Sequence, residues 1–445
     1  MKKTVSLLLC VLMLLAAFSG CGPQQPAEST GETTEPKLEH VLSVGYGRVD
    51  ITPKESLPLG GLSNSVVGGS TSDRMHTGVE NPLYATCIAI SDETGNTILL
   101  YHMDFLLSYA SKLVLAKVAV SRATGVNGNQ IMITSTHNHS GPDLYSEMGQ
   151  MQDYIDALKD WMVEAAETAM ADRKPAKMYT TSTNPEGMNF CRHYLMSDGG
   201  YSGDNFGNKT GVSYVKHVVE ADNQMQLVKF TREGAKDIVM MNWQAHPTGH
   251  SGEYRSKILS HVDETRKVVE KELDCHFAYF LGASGNVNST SRISGEQAVV
   301  TEGLYYKAHG QKLGMIAAEA AANFQQVQTD SIRFLSKNYE AKRYNDDTSM
   351  ANIPMYAFSF GDVAFVTAPY EMFTEHGKAI KEGSPYKTTI VATCSNEGDY
   401  LAYLAAEYAF DYNSYEAQMA RVAKGTAEIM QNEYINLLKE LAGNS

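Results

Sequence analysis

The chain has 445 residues, with 37 Lys and Arg against 51 Asp and Glu, a formal net charge of −14. A composition of 43% hydrophobic and 20% charged residues excludes low-complexity disorder, a collagen-like repeat and a disulfide-dense miniature scaffold. The acidic balance argues against a nucleic-acid binder, which needs a basic face for phosphates, and against adsorption to anionic lipid by a polybasic patch.

In chain order, the first feature is a targeting segment. Lys2 and Lys3 precede the apolar run 5–18, and Ser19-Gly20-Cys21 follow. A basic start, a short apolar run and small residues describe a secretory signal. The run is too short for a retained transmembrane helix. A Cys directly after small residues resembles the bacterial lipobox. Residues 1–20 therefore read as a lipoprotein signal peptide, with Cys21 lipidated and holding an exported protein at the bacterial cell membrane. A plain signal peptide with an incidental Cys21 is the alternative. Losing Lys2 and Lys3 takes the charge from −14 to −16, so acyl chains rather than electrostatics would supply attachment. Residues 21–40 are rich in Pro, Gln, Glu, Thr and Gly without an apolar period, the composition of a solvated tether. From 41 to 445 there is no further linker and no repeat, which predicts a single catalytic-sized domain.

Within that domain the spacing predicts strands over 96–107 (NTILLYHMDFLL) and 130–134 (QIMIT). Ile155, Leu158, Met162, Ala165 and Ala169 step by three and four, an amphipathic helix. Strands are then predicted over 238–243, 277–281, 364–367 and 388–393, with helices over 263–273, 304–324 and 415–441. Such alternation predicts an α/β fold, a mixed β-sheet core flanked by helices. Ligands of such folds bind where strand ends meet loops. Cys87, Cys191, Cys275 and Cys394 have no CxxC pairing. They fit either disulfides of an exported protein or small core residues, and no zinc–thiolate site is expected.

Two strand ends carry histidines. The stretch 133–142 reads ITSTHNHSGP, an apolar strand running into His137 and His139 before a turn. Residues two apart in extended chain point to one side, so the pair can share a site; a pair of satisfied or surface histidines beside a turn is the plain alternative. The stretch 240–250 reads MMNWQAHPTGH. His246 and His250 have zincin spacing, but Pro247 and Gly249 break the helix it requires and the Glu is missing. What survives is two strand ends each delivering a histidine to one crevice, a common way to assemble zinc. A carboxylate normally completes such a set, and Glu371 follows a third predicted strand in VTAPYEMF. Beyond a fourth come Tyr403, Tyr408, Tyr412 and Tyr415; with 25 tyrosines in the chain, a tyrosine-lined pocket wall or core also explains them.

Taken together, these residues resemble the neutral/alkaline (non-lysosomal) ceramidase family, zinc amidohydrolases that cleave the N-acyl amide of ceramide. The resemblance lies in Gly45-Tyr46-Gly47-Arg48-Val49-Asp50-Ile51-Thr52-Pro53, Pro58-Leu59-Gly60-Gly61, Thr136-His137-Asn138-His139-Ser140-Gly141-Pro142, His246-Pro247 and the region 403–416. It implies one zinc per chain, held by His137, His246, Glu371 and Tyr403. It further implies His139 as acid/base, Arg192 as a substrate-binding group and Tyr415 on the reacting carbonyl. Four departures stand out. Phe190-Cys191 separate Asn189 from Arg192, and Asn286 stands where relatives carry Asp. Two additional residues fall between Asn396 and Tyr400, and the C-terminal immunoglobulin-like domain is expected to be absent. They bear on ceramide as the substrate more than on zinc amide chemistry. The expected substrate is a lipid or N-acyl small molecule, with a different N-acyl amide or an ester as the alternative. A tethered, non-catalytic solute-binding lipoprotein would explain anchor and fold, but not why His137, His139, His246, Glu371 and Tyr403 gather at strand ends.

Overall fold

Strand Tyr84–Asp92 shows why the molecule is layered. Ala85, Cys87 and Ala89 face one side and Ile88 and Ile90 the other, all fully buried. A strand buried on both faces needs cover on both. In the computed structural model, which describes residues 42–61, 74–146, 149–203, 211–248, 254, 256–296, 305–396 and 401–443, it lies inside a nine-stranded mixed sheet. The order is Cys275–Leu281, Ala235–Trp243, Met225–Arg232, Lys174–Thr183, Leu42–Asp50, Tyr84–Asp92, Thr97–Met103, Ile131–Ser135, with Gln325–Gln326 added beside Lys174–Thr183. Only the two outermost pairs on that path are parallel. Each is joined by a crossover helix, Ala110–Thr124 on one side and His261–Leu273 on the other. The signal, Cys21, the tether, His250 and residues 397–400 lie outside the described residues.

Helices Ala110–Thr124, Gly149–Ala171, His261–Leu273 and Tyr305–Ala320 cover one face. Leu158, Met162, Ala165 and Ala169, the residues that set the helical period, are all buried there. The approach is tight. A Cβ on Gly45 or Gly47 would lie 2.0 Å from the carbonyl oxygen of Ala169 or Ala165, which gives the Gly-Tyr-Gly motif a packing reason. The other face meets a second sheet, ordered Arg333–Arg343, Asp346–Ser359, Val363–Thr367, Thr388–Ala392. Phe358, Phe360 and Phe365 pack there with Ile88, Ile90 and Leu100. Helices Thr374–Gly383 and Thr426–Leu441 cover its far side through Ile380, Met430, Tyr434, Leu437 and Leu438. The result is a helix–sheet–sheet–helix stack, the mixed α/β architecture with flanking helices that alternation predicts.

The elements differ from the sequence reading in several places, and strands Leu42–Asp50, Tyr84–Asp92, Lys174–Thr183 and Met225–Arg232 have no counterpart in it. The strand predicted over 96–107 ends at Met103, because Phe105 N turns back to donate to Met103 O at 2.9 Å. The helix predicted over 415–441 is two, Tyr415–Met419 and Thr426–Leu441, parted near Gly425 with φ 87°. The long hairpin Arg333–Arg343 with Asp346–Ser359 has no counterpart in the reading; its first strand is largely polar and exposed, so it lacks a clear apolar alternation. Cys87, Cys191 and Cys275 are buried free thiols and Cys394 is buried as well, which favours small core residues of the two readings. Among the described residues no helix is long and apolar enough to cross a membrane.

The two outermost strands of the large sheet come together through residues 393–396. Thr393 N donates to Leu281 O at 2.9 Å, and Asn396 N donates to Ile133 O at 2.8 Å. The Asn396 side chain accepts from Ile133 N at 2.8 Å. Beside this junction, Tyr279 N donates to Nδ1 of His102, on strand Thr97–Met103, at 2.8 Å. Histidines following strands far apart in sheet order thereby reach one crevice.

Candidate metal centre

Strand Ile131–Ser135 stops two residues before the first histidine. His137 has φ 59°, the left-handed region that costs a non-glycine residue energy. Backbone bonds impose it: Thr136 N donates to Met103 O at 2.9 Å and Asn138 N to Phe105 O at 3.2 Å. The rings of His137 and His139 stand edge to face, 4.7 Å apart. They share a site as the spacing predicts, but through a left-handed kink rather than extended chain. Gly61 has φ 79°, and a Cβ on it would lie 2.4 Å from His139 Nδ1, so the Gly60-Gly61 motif is the floor under this histidine. His246, three residues past strand Ala235–Trp243, is held by its own N–H on Val287 O at 3.0 Å.

Each of the three rings has Nδ1 on a backbone carbonyl: His137 on Leu106 O at 3.0 Å, His139 on Gly61 O at 2.9 Å, His246 on Ser284 O at 2.7 Å. A carbonyl only accepts, so Nδ1 carries the proton and Nε2 turns a lone pair inward. The potential ligand atoms of the three rings lie within 4.8 Å of one another. Glu371 Oε2 sits 2.9 Å from His246 Nε2 and 3.2 Å from His137 Nε2. Nε2 of His137 and of His139 is buried without an aligned hydrogen-bond partner. Converging lone pairs and a carboxylate repel one another unless a cation lies among them, and this nitrogen and oxygen donor set suits a divalent metal such as zinc. Burial, reinforced by His137 and His246, holds His139 well below the usual histidine range. Burial, with Arg192 adding to it, pushes His246 down to about 4. Both are thus neutral at neutral pH, the state that ligation requires. Burial would raise Glu371, but His137 and His246 hold it well below the carboxylate range.

The remaining sequence-selected residues extend from Glu371. Glu371–Met372 pairs in parallel with Tyr403–Leu404, and Glu371 stands in register with Tyr403. Ala402, with φ 53°, makes the turn into that ladder. Tyr403 is buried; burial, with Glu371 adding to it, pushes its phenol well above 10. Its hydroxyl oxygen accepts from Arg192 Nη2 at 3.2 Å. The Tyr415 ring stands 6.0 Å from that of Tyr403, at the start of a short helix capped by Ser414. All seven selected residues thus form one contiguous set.

The departures also find reasons. Phe190–Cys191 pairs with Val287–Asn288, which seats Arg192 beside the glycine loop, its N–H on Asn286 O at 2.8 Å. The Asn286 side chain accepts from Thr374 N at 2.8 Å and donates to Glu375 Oε2 at 2.9 Å. An ionised aspartate could do the first but would face the Glu375 carboxylate in the second. Sequence reasoning missed Glu416 and His193. Glu416 accepts from Arg192 Nε at 2.8 Å and contacts His193 Nε2 at 2.8 Å. The only signal was adjacency, Glu416 following Tyr415 and His193 following Arg192.

No family model and no curated protein matches the chain. Among solved structures, the neutral ceramidase from Pseudomonas aeruginosa is similar at a TM-score of 0.70 and 14% identity, over 90% of this chain and 75% of that one. A ceramidase complexed with C2 is similar at 0.70 and 14%, over 91% and 75%. The chain has the neutral ceramidase fold.

Proposed function

We propose that this chain is a zinc-dependent amidohydrolase that cleaves the N-acyl amide of ceramide or a related N-acyl lipid. One observation carries the reading: the Nε2 atoms of His137, His139 and His246 and the Glu371 carboxylate converge in one buried cluster, where those of His137 and His139 have no aligned hydrogen-bond partner. His137, His246, Glu371 and Tyr403 would hold the metal. A zinc ion there supplies Lewis-acid polarisation of the amide carbonyl and acidifies water.

The chain's own groups do the rest. His139 Nε2, neutral and unpartnered, takes a proton from the attacking water and delivers it to the leaving nitrogen. Its Nδ1 bond to Gly61 O keeps the ring from turning. Arg192 and Tyr415, flanking Tyr403, are the donors for the developing oxyanion, each worth about 3–4 kcal/mol in comparable sites. Attachment through a lipidated Cys21, proposed from the signal alone, would keep the site near lipid substrate; a Cys21→Ala protein processed and membrane-bound as usual would contradict it. The functional reading is tested with zinc-reconstituted protein on a panel of N-acyl-sphingosines and unrelated N-acyl amides. Cleavage of N-acyl-sphingosines is expected. Cleavage of other amides alone moves the substrate away from ceramide, and no cleavage of any overturns the reading.

A further inference from the structure

One carboxylate outside the proposed ligand set joins most of the groups around Tyr403. Glu416 Oε1 lies 2.8 Å from both Nε and Nη2 of Arg192. The same Nη2 donates to the Tyr403 hydroxyl oxygen at 3.2 Å, and the guanidinium carbon stands 5.8 Å from the Tyr403 ring centre. The other carboxylate oxygen meets His193 Nε2 at 2.8 Å. His193 Nδ1 in turn meets Tyr408 OH at 3.0 Å, and that oxygen accepts from Asn286 Nδ2 at 3.2 Å. Arg192, His193 and Glu416 are all buried. Arg192 and His193 are consecutive yet grip one carboxylate, which leaves the guanidinium no second rotamer to adopt without losing an ion pair. Glu416 also follows Tyr415 within one short helix.

We infer that Glu416, braced by His193, is the positioning residue of this site: it fixes the Arg192 guanidinium on the Tyr403 oxygen. That oxygen is thereby held as an acceptor, the polarity a metal ligand needs. The inference deepens the proposed function and rests on it for Tyr403 as a ligand. A plain buried ion pair would need Glu416 only to neutralise Arg192. Positioning additionally requires that the effect of Glu416 on the site pass through Arg192.

A double-mutant cycle separates these. Arg192→Gln, Glu416→Gln and the double variant are compared for zinc affinity by chelator competition, and for kcat and KM on an N-acyl amide. Glu416→Gln is expected to weaken zinc and lower kcat by about 10–100-fold, the range for groups that orient metal ligands, with KM little changed. The double variant should lose no more than Arg192→Gln alone. His193→Gln, which keeps a donor, should retain more zinc affinity than His193→Leu; this pair serves if Glu416→Gln does not fold. Effects of Glu416→Gln and Arg192→Gln that multiply would overturn the inference. So would a destabilised Glu416→Gln that still binds zinc as the wild type does. If the wild type cleaves no amide, the functional reading falls, while the zinc arm still decides the positioning role.

Discussion

Two buried polar clusters lie at the ends of the paired outer strands, and they are built on opposite rules. Around Arg266 every charge has an opposite. Nη2 donates to Asp104 Oδ2 at 3.0 Å and Nη1 to Asp263 Oδ1 at 2.8 Å, while Lys267 Nζ lies 2.8 Å from Asp263 Oδ2. His102 Nδ1 is occupied by Tyr279 N. Burial would raise Asp104, but Arg266 and His102 hold it well below the carboxylate range. Around His137 the outward nitrogens are satisfied, whereas the inward Nε2 atoms of His137 and His139 are not. Burying polar groups is costly in both places, and the first recovers most of that cost by pairing its opposite charges, although Arg266 Nε and Asp104 Oδ1 are buried without a hydrogen-bond partner among the described residues. The second recovers it only from something brought in. A buried cluster that closes on itself reads as architecture; one left open toward a common point reads as a site.

The sharpest way to break this comparison is to remove one open histidine. His137→Ala or His246→Ala should lose nearly all bound zinc and with it hydrolysis, seen by metal analysis of the purified protein. Full zinc in both would refute the ligand set. His139→Ala should keep its zinc while kcat falls by about 10²–10⁴, the contribution of a positioned acid/base. If zinc leaves with activity, all three rings are ligands and the proton carrier is elsewhere. Arg266→Met tests the closed side. It strands Asp104 and Asp263 and should cost about 3–5 kcal/mol in denaturant unfolding while zinc stoichiometry stays unchanged.

The mildest test uses a lone group. His309 is buried, its Nδ1 3.3 Å from Tyr305 OH, and its Nε2 has no hydrogen-bond partner among the described residues. Burial pushes it down to about 4. Below about pH 6.5 the unfolded chain binds a proton that the fold refuses. The contribution of His309 is therefore present in full above that pH and shrinks as pH falls toward about 4. The loss amounts to about 3 kcal/mol. His309→Gln should flatten the wild-type fall in stability over that window, and an unchanged slope would show that the burial argument fails.

How much of this was legible in the sequence follows from the same contrast. Local rules found the strand ends bearing His137 and His246, and the helix over Ile155 to Ala169, because each depends on neighbours within a few residues. They could not show that strands Ile131–Ser135 and Cys275–Leu281, outermost in the sheet order, meet through residues 393–396. Nor could they show that Glu371 and Tyr403 stand in register across a two-residue ladder. His137 points inward through a positive φ that no alternation rule anticipates. Tyr403, Arg192 and Tyr415 were reached only through family resemblance. Glu416 and His193 went unremarked because their role lies in contacts more than two hundred residues apart in the chain.

The central claim is that the open cluster is completed by one metal ion and then hydrolyses an N-acyl amide. Metal-stripped protein titrated with zinc, with bound metal and amide cleavage followed together, tests this most directly. The account predicts that both rise in proportion and break sharply at about one equivalent per chain. Cleavage that is complete before zinc is added, or zinc that binds without restoring any cleavage, would contradict it.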